Sequence, residues 1–462
     1  MDLRLDEIFL VANKATQSSL LVETKIEKIK IDSRKINKGD LFVSLKGEKF
    51  DGHNFLGNAF DNGAVAAIVE EEVDFEHKSK IIKVESSLDF LQEIAYFYRK
   101  KFDAKVIGIT GSVGKSTVKE MMASVFETEL EVLKTKENLN GQIGLPLTIL
   151  DLGSETQIAV LEIGISKIGE MEKLARIARP DFAVITNIGV SHLENFKSTE
   201  VTCREKLKIA NDKNCKIYIN GDDLELSKNS NILENEIIYF GLNGNFPYRA
   251  ENIYFIGNET EFVLVTENFR ENMKIPCLGI HNVYNALSVI SLAIDFGIHL
   301  EDIKMGISNF KSLKMRQKIT HFKNFILIDD TYNSSPDSIK ASVTLLQSIK
   351  TEGKRIVVMA DILELGSSSK DIHFEIGKYI ALSGVEVLIT TGNFSKFMCE
   401  GAASSGTRIE ILHCKNNIDV SKEVISRISN GDKILVKGSR GMKTEEIVKI
   451  IRESSEDPKK FI

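Results

Sequence analysis

The nonapeptide Gly108-Ile109-Thr110-Gly111-Ser112-Val113-Gly114-Lys115-Ser116 restricts the fold of this chain more than any other stretch. It carries the G-K-[ST] end of the phosphate-binding pattern G-x-x-x-x-G-K-[ST], with five residues instead of four between Gly108 and Gly114, and it lies between an apolar run, Val106 to Thr110, and an amphipathic one, Thr117 to Phe126. That setting predicts a strand, a tight loop and a helix. Glycines let backbone N–H groups approach phosphate oxygens, and the helix N-terminus adds positive potential. Lys115 brings a charge to the β- and γ-phosphates, and Ser116 offers an oxygen to Mg²⁺. Gly111, Ser112, Gly114, Lys115, Ser116 and Thr117 are therefore the expected nucleotide contacts. The plainer alternative is a Gly-rich strand-to-helix turn without a ligand. Asn37-Lys38-Gly39-Asp40 spells the guanine-reading N-K-x-D, but it precedes the loop and lies in another block, so it reads as a turn between strands.

Around the loop the chain falls into three blocks, 1–102, 103–312 and 313–462, which suits its 462 residues and 42% apolar content. The first mixes short apolar runs with Gly-rich turns, Gly39 to Leu45 and Gly63 to Val69, as in a small mixed α/β unit. The second alternates apolar strands with helical periods, the mark of a mostly parallel sheet wrapped by helices. Val106–Thr110, Ile158–Ile163, Phe182–Thr186 and Ile217–Asn220 are its strands, and Gly279-Ile280-His281-Asn282 opens a helix reaching Phe296. The third restarts the alternation with Phe325–Ile328, Ile356–Met359, Val385–Thr390, Ile409–Leu412 and Ile434–Val436, which predicts a second, Rossmann-like doubly wound domain. Ser335-Pro336 marks a helix start there. The fold class is thus α/β in three domains.

Lys and Arg total 60 and Asp and Glu 66, a net charge of −6, so no broad cationic face for nucleic acid or a membrane is expected. The five cysteines show no C-x-x-C spacing, and Met1 to Glu7 mixes charges where a signal peptide needs an apolar run. A cytoplasmic chain without membrane insertion is the expectation.

Glu162 interrupts the apolar run Ala159-Val160-Leu161-Glu162-Ile163, at the end of a strand that would face the nucleotide. A buried carboxylate there needs a cation or donors, so Mg²⁺ ligation is favoured over a structural ion pair. His192 also follows a strand, although an isolated His reads as readily as a hydrogen-bonded core residue. Taken alone, Lys206 in Arg204-Glu205-Lys206-Leu207-Lys208 reads as a solvated helix face.

Several stretches together resemble one family, the Mur ligases, over nearly the whole chain. The central block carries Gly114-Lys115-Ser116, Asn138-Leu139-Asn140, Gly144-Leu145-Pro146, Glu162-Ile163-Gly164, Thr186-Asn187-Ile188, His192-Leu193-Glu194 and Gly279-Ile280-His281-Asn282 with Asn285. The N-terminal block has Asp32-Ser33-Arg34, Gly39-Asp40-Leu41-Phe42 and Asp51-Gly52-His53, like the family's UDP-binding domain. The C-terminal block has Asp329-Asp330-Thr331-Tyr332-Asn333, Pro336-Asp337-Ser338, Glu364-Leu365-Gly366 and Lys437-Gly438-Ser439-Arg440-Gly441. These last stretches, and the absence of Asp-Asn-Pro-Arg, favour the branch that adds D-alanyl-D-alanine.

The resemblance implies an ATP-dependent amide ligase. A UDP-N-acetylmuramoyl-tripeptide carboxylate is activated as an acyl phosphate and then captured by the amine of D-alanyl-D-alanine. It implies catalytic roles for Lys115, Glu162, His192 and Lys206, and two Mg²⁺ ions, one on Ser116 and Glu162 and one on His192. Lys206 would join the metal site as a carbamate, which requires a neutral amine first; Lys208 is either the neighbouring cation that lowers its pKa or the sign of a shifted register. Asn282 and Asn285, three apart on one helix face, would meet adenine, Asp330 the ribose, and Arg316 the nucleotide from the interdomain seam. Ser33 and Arg34 would hold UDP, and Asn138 the substrate. Without the resemblance the Asn pair reads as helix capping and Arg34 as a surface ion pair. The chain departs from the family's usual pattern at Ser334-Ser335, at Lys208 and at Gly141. A monomer that closes its domains over the substrates is expected. The competing readings are another ligase of the superfamily, of the muramoyl-peptide or folylpolyglutamate type, and a nucleotide-binding regulatory protein without turnover.

Overall fold

The computed structural model describes residues 1–12, 24–47, 50–73, 78–190, 193–350 and 352–456. Its strands form three sheets, one per block. The first holds β1 (Ile29–Lys30), β2 (Leu41–Val43), β3 (Ala66–Val69) and β4 (Ile81–Lys83), all parallel and in chain order. Side chains alternate across it: Phe42, Ala67 and Val69 face one apolar cluster, and Leu41, Val43 and Ile68 another.

The central sheet holds β5 (Lys105–Thr110), β6 (Val132–Lys134), β7 (Ile158–Glu162), β8 (Phe182–Ile185), β9 (Lys216–Asn220), β10 (Ile237–Gly241), β11 (Tyr248–Ile256), β12 (Glu259–Val265) and β13 (Arg270–Ile275). Their order is β13-β12-β11-β10-β9-β8-β5-β7-β6. From β6 to β11 the pairing is parallel, and β11 to β13 extend the sheet as an antiparallel meander. Parallel strands are covered on both faces, which is why they read as unbroken apolar runs. In β7, Ala159 and Leu161 enter one core while Ile158 and Val160 enter the other. The second core also takes Val118, Met121, Met122 and Val125 from the helix Lys115–Phe126, and Val283, Leu287 and Ile290 from Ile280–Phe296. Each such side chain stabilises the fold by about 1.5–3 kcal/mol.

The helix Ser87–Arg99 joins the first sheet to the second. Its Phe90, Leu91, Ile94 and Tyr98 share one core with Leu145 and Met171 of the central domain. Tyr98 Oη donates to the Leu152 carbonyl at 2.9 Å and Arg99 Nε to that of Ala178 at 3.2 Å.

The third sheet holds β14 (Lys318–His321), β15 (Phe325–Asp330), β16 (Arg355–Ala360), β17 (Val387–Thr391), β18 (Glu410–Cys414) and β19 (Asp432–Lys437), ordered β14-β15-β19-β16-β17-β18. All but the β14 edge pair in parallel, and separate apolar clusters cover the two faces. This is the doubly wound α/β arrangement. Ser335 caps the helix Pro336–Ser348: its side chain accepts from the Ser338 N–H, with Pro336 in the first turn.

Candidate active site

The phosphate loop links β5 to the helix Lys115–Phe126, and its conformation depends on glycine at two points. Gly111 has φ +144°, and a Cβ there would meet Thr186 Oγ1 at 1.9 Å; Gly114 has φ +91°, and a Cβ would meet Asn285 Oδ1 at 2.6 Å. The segment after β8 braces the loop from below. Asn187 accepts from Ser112 N–H through its carbonyl (2.9 Å) and from Val113 N–H through Oδ1 (3.0 Å), and Thr186 Oγ1 donates to the Val113 carbonyl at 2.6 Å.

Glu162 lies opposite Ile109 in the parallel β5–β7 pair and so ends beside the loop. It is 2% exposed and fully engaged: Ser116 Oγ donates to Oε2 at 2.7 Å, and Asn140 Nδ2 donates to Oε1 at 2.7 Å. Lys115 folds over the loop, donating to the carbonyls of Gly111 (2.8 Å) and Ser112 (3.2 Å). Burial lowers its pKa, Glu162 opposes the shift, and Arg316 adds to it.

Lys206 corrects the solvated-face reading. It is 2% exposed on the helix Thr199–Leu207, and its Nζ donates to the Gly111 carbonyl at 3.1 Å. Burial, with the Lys115 ammonium beside it, holds its pKa well below that of an ordinary lysine. Lys208 is not the cation responsible: it pairs with Glu205 at 3.0 Å. Periodicity missed this because the helix buries Thr202, Glu205 and Lys206 along with Cys203 and Leu207, so polarity does not mark its inner face.

The C-terminal domain closes the other side. Arg316 donates from Nη2 to Ser116 Oγ at 2.9 Å, and its guanidinium lies 3.9 Å over the Tyr332 ring. The flanking Met315 and Gln317 both have positive φ, +62° and +51°, a costly conformation for residues with a Cβ that aims Arg316 at the loop. Asp330 forms a buried ion pair with Lys437 at 2.5 Å, and Ser342 Oγ donates to the same carboxylate at 2.6 Å. His281 Nε2 and Gln317 Oε1 are 2.6 Å apart, tying the start of the helix Ile280–Phe296 to this domain; burial lowers the His281 pKa, so the ring is neutral near pH 7. Asn285 Nδ2 donates to Asn282 Oδ1 at 3.1 Å, while Asn282 Nδ2 donates to the Leu278 carbonyl at 2.8 Å.

Gly111, Ser112, Gly114, Lys115, Ser116, Thr117, Asn138, Glu162, Lys206, Asn282, Asn285, Arg316 and Asp330 all line one cleft of about 920 Å³. Ser33 and Arg34 do not. Ser33 is buried in the first domain, and Arg34 is an exposed side chain paired with Asp32 at 2.9 Å. His192 lies outside the described residues. Sequence reasoning passed over Asn140, His281, Gln317, Tyr332 and Lys437 as site residues. Asn140, His281, Tyr332 and Lys437 stood inside stretches already singled out, and only tertiary contacts reveal their partners, Glu162, Gln317, Arg316 and Asp330.

A phosphate loop with a carboxylate at its base, faced by a second α/β domain bringing an arginine and a buried acid–lysine pair, suits a nucleotide-driven group transfer between domains. Family models match in the same order: the Mur ligase family catalytic domain over residues 25–99, the Mur ligase middle domain over 109–293 and the Mur ligase glutamate ligase domain over 315–440. The chain belongs to the Mur ligase family.

Within that family it is 38% identical to the UDP-N-acetylmuramoyl-tripeptide--D-alanyl-D-alanine ligase of Bacillus subtilis, over 94% of each chain. MurF from Acinetobacter baumannii superposes with a TM-score of 0.88 at 29% identity, covering 97% of this chain and 98% of that one. The MurF ligase of Thermotoga maritima, solved in complex with ADP, gives a TM-score of 0.84 at 28% identity, covering 94% and 99%.

Proposed function

We propose that this protein joins D-alanyl-D-alanine to UDP-N-acetylmuramoyl-tripeptide with cleavage of ATP to ADP and phosphate. The observation that carries the reading is the shared cleft, where the phosphate loop, Glu162 and Lys206 meet Arg316, Asp330 and Lys437 from the opposite domain. A carboxylate is a poor acyl donor, so its oxygen first takes the γ-phosphoryl group and releases ADP. The dipeptide amine then attacks the acyl carbon, loses a proton and expels phosphate. Positioning and charge neutralisation supply most of such catalysis.

In this reading Lys115 unfolds from the Gly111 carbonyl to hold the β- and γ-phosphates, and Arg316 approaches the same charge from the C-terminal side. The oxygens of Ser116 and Glu162, 2.7 Å apart, form a hard donor pair of the kind Mg²⁺ takes alongside nucleotide phosphates. Mg²⁺ bound there neutralises the phosphate charge. Asn140 keeps the Glu162 carboxylate turned toward Ser116. We assign His192 to a second Mg²⁺ ion. Lys206, a buried amine with a lowered pKa, meets the requirement for carbamate formation with CO₂, after which it carries the negative charge that a second cation needs. Asn282 and Asn285, which line the cleft, would meet adenine, and Asp330 would share its carboxylate between Lys437 and the ribose. Ser33, Arg34 and Asn138 are proposed contacts for the UDP-substrate. A monomer acting in the cytoplasm suits soluble substrates and a cleft built within one chain.

The test is mass analysis of the product formed from ATP, UDP-N-acetylmuramoyl-tripeptide and D-alanyl-D-alanine. A pentapeptide product with phosphate release dependent on all three substrates is expected. Equal release with single amino acids in place of the dipeptide would overturn the reading.

A further inference from the structure

Five Lys and Arg side chains line the cleft among the described residues: Lys115, Lys206, Arg316, Lys437 and Arg440. Four are committed to the nucleotide end. Lys115 and Lys206 meet the Gly111 carbonyl, Arg316 meets Ser116, and Lys437 is locked to Asp330. Arg440 alone stands on the outer wall. It opens the short turn Arg440–Met442 after β19, its side chain is 58% exposed, and its pair with Glu445 at 3.0 Å is one that solvent screens and an incoming anion can replace.

That wall is a built surface. β15, β19 and β16 are neighbours in the sheet, and a doubly wound sheet binds ligands beyond the carboxyl ends of its strands. The loops leaving those ends interlock: the Leu363 N–H donates to Ser439 Oγ at 2.9 Å, and a Cβ on Gly441 would lie 2.9 Å from Leu363 Cδ1. Leu363 is 40% exposed, an apolar spot beside the cation. On the first loop Ser334 also lines the cleft, 7% exposed, with a hydroxyl that has no hydrogen-bond partner among the described residues. Arg440 Nη1 lies 3.8 Å from Met315 Sδ, and the next residue, Arg316, touches the phosphate loop. An extended dipeptide spans only ~7 Å, so an acceptor anchored at Arg440 can direct its amine inward.

Resting on the ligase reading above, we propose that Arg440 binds the terminal carboxylate of the incoming dipeptide, with a side-chain methyl against Leu363 and the amine directed toward the phosphate loop. A guanidinium fork matches a carboxylate in two parallel hydrogen bonds. The site thereby selects an acceptor with a free acid at its far end.

The experiment compares D-alanyl-D-alanine with its C-terminal amide in phosphate-release kinetics, at saturating ATP and UDP-substrate. For the unaltered enzyme the KM of the amide is expected to exceed that of the acid by about ten- to a hundredfold, the range for a hydrogen bond to a charged group. Arg440→Ala should raise the KM of the acid by a similar factor, leave the KM values of ATP and UDP-substrate unchanged, and abolish the preference for acid over amide. Arg440→Lys should fall between. Equal use of acid and amide by the unaltered enzyme would overturn the proposal, as would an unchanged dipeptide KM in Arg440→Ala or a uniform rise for all three substrates. If the unaltered enzyme shows no release dependent on D-alanyl-D-alanine, the ligase reading fails and this proposal falls with it.

Discussion

Lys115 and Lys206 share one acceptor, the Gly111 carbonyl, and two ammonium groups cannot sit together there at low cost. Burial and this neighbour hold the Lys206 pKa well below that of an ordinary lysine, in a side chain that looks like surface decoration in the sequence. Glu162 depends on its neighbours too. Asn140→Ala would remove the donor to Oε1, and such supports typically alter metal affinity by about 10–100-fold. Titrating Mg²⁺ in the phosphate-release assay should show a half-saturating concentration raised by that order; an unchanged value would remove Asn140 from the metal site. Lys433, at the far end of β19 from Lys437, is fully buried, with its Nζ on the Ile349 carbonyl, and burial lowers its pKa to about 8. An unfolded lysine titrates near 10.4, so between about pH 8 and pH 10 the unfolded chain binds more protons and stability rises with pH. Lys433→Met should flatten that rise in urea midpoints measured across the window, with activity retained. An equally steep rise in the variant would contradict the assignment.

At the level of elements, the units easiest to read were those with one strong period. The runs at Val106–Thr110, Ile158–Ile163 and Phe182–Thr186 became β5, β7 and β8 with ends shifted by a residue, because strands covered on both faces cannot carry polar side chains. The exception inside such a run, Glu162, was for that reason a site candidate beside the loop. The meander β11 to β13 escaped notice, since its strands are half-solvated and β11 is broken by a register shift between Glu251 and Tyr254. Helix starts follow local chemistry. Ser335 and Ser338 cap each other's backbone N–H groups at the head of Pro336–Ser348. Ser335→Ala is expected to cost about 1 kcal/mol, read as a lowered denaturant midpoint with an unchanged slope. An unaltered midpoint would mean the cap contributes nothing.

Across the whole molecule, the first two domains share a core around Tyr98, whereas the third meets the second through Leu278 and Val190, which pack on its apolar cluster, and through polar contacts near the cleft. Arg316 reaches Ser116, Gln317 reaches His281, and the Val190 N–H donates to Asp337 Oδ2 at 2.8 Å. The Glu194 N–H donates to the Glu364 carbonyl at 3.3 Å, so the third domain grips both sides of the stretch containing His192. This seam buries fewer apolar side chains than the core shared by the first two domains, and movement is therefore expected at the third domain. X-ray scattering with an ATP analogue and UDP-substrate should shift toward a more compact profile for the unaltered protein and for Asp337→Asn, which keeps an acceptor for Val190. Asp337→Ala should compact less, and identical shifts in all three would exclude this contact as a closure device.

The linear code was enough for the loop at Gly111 to Ser116, the α/β alternation, the capped helices and the family likeness, because each rests on short local patterns and on their order along the chain. It could not reveal that Lys206 is buried against Lys115, that Asn140 holds Glu162, or that Asp330 is bound to Lys437. Those facts depend on burial and on partners up to 107 residues away in the chain, and they exist only once the three sheets have folded and met.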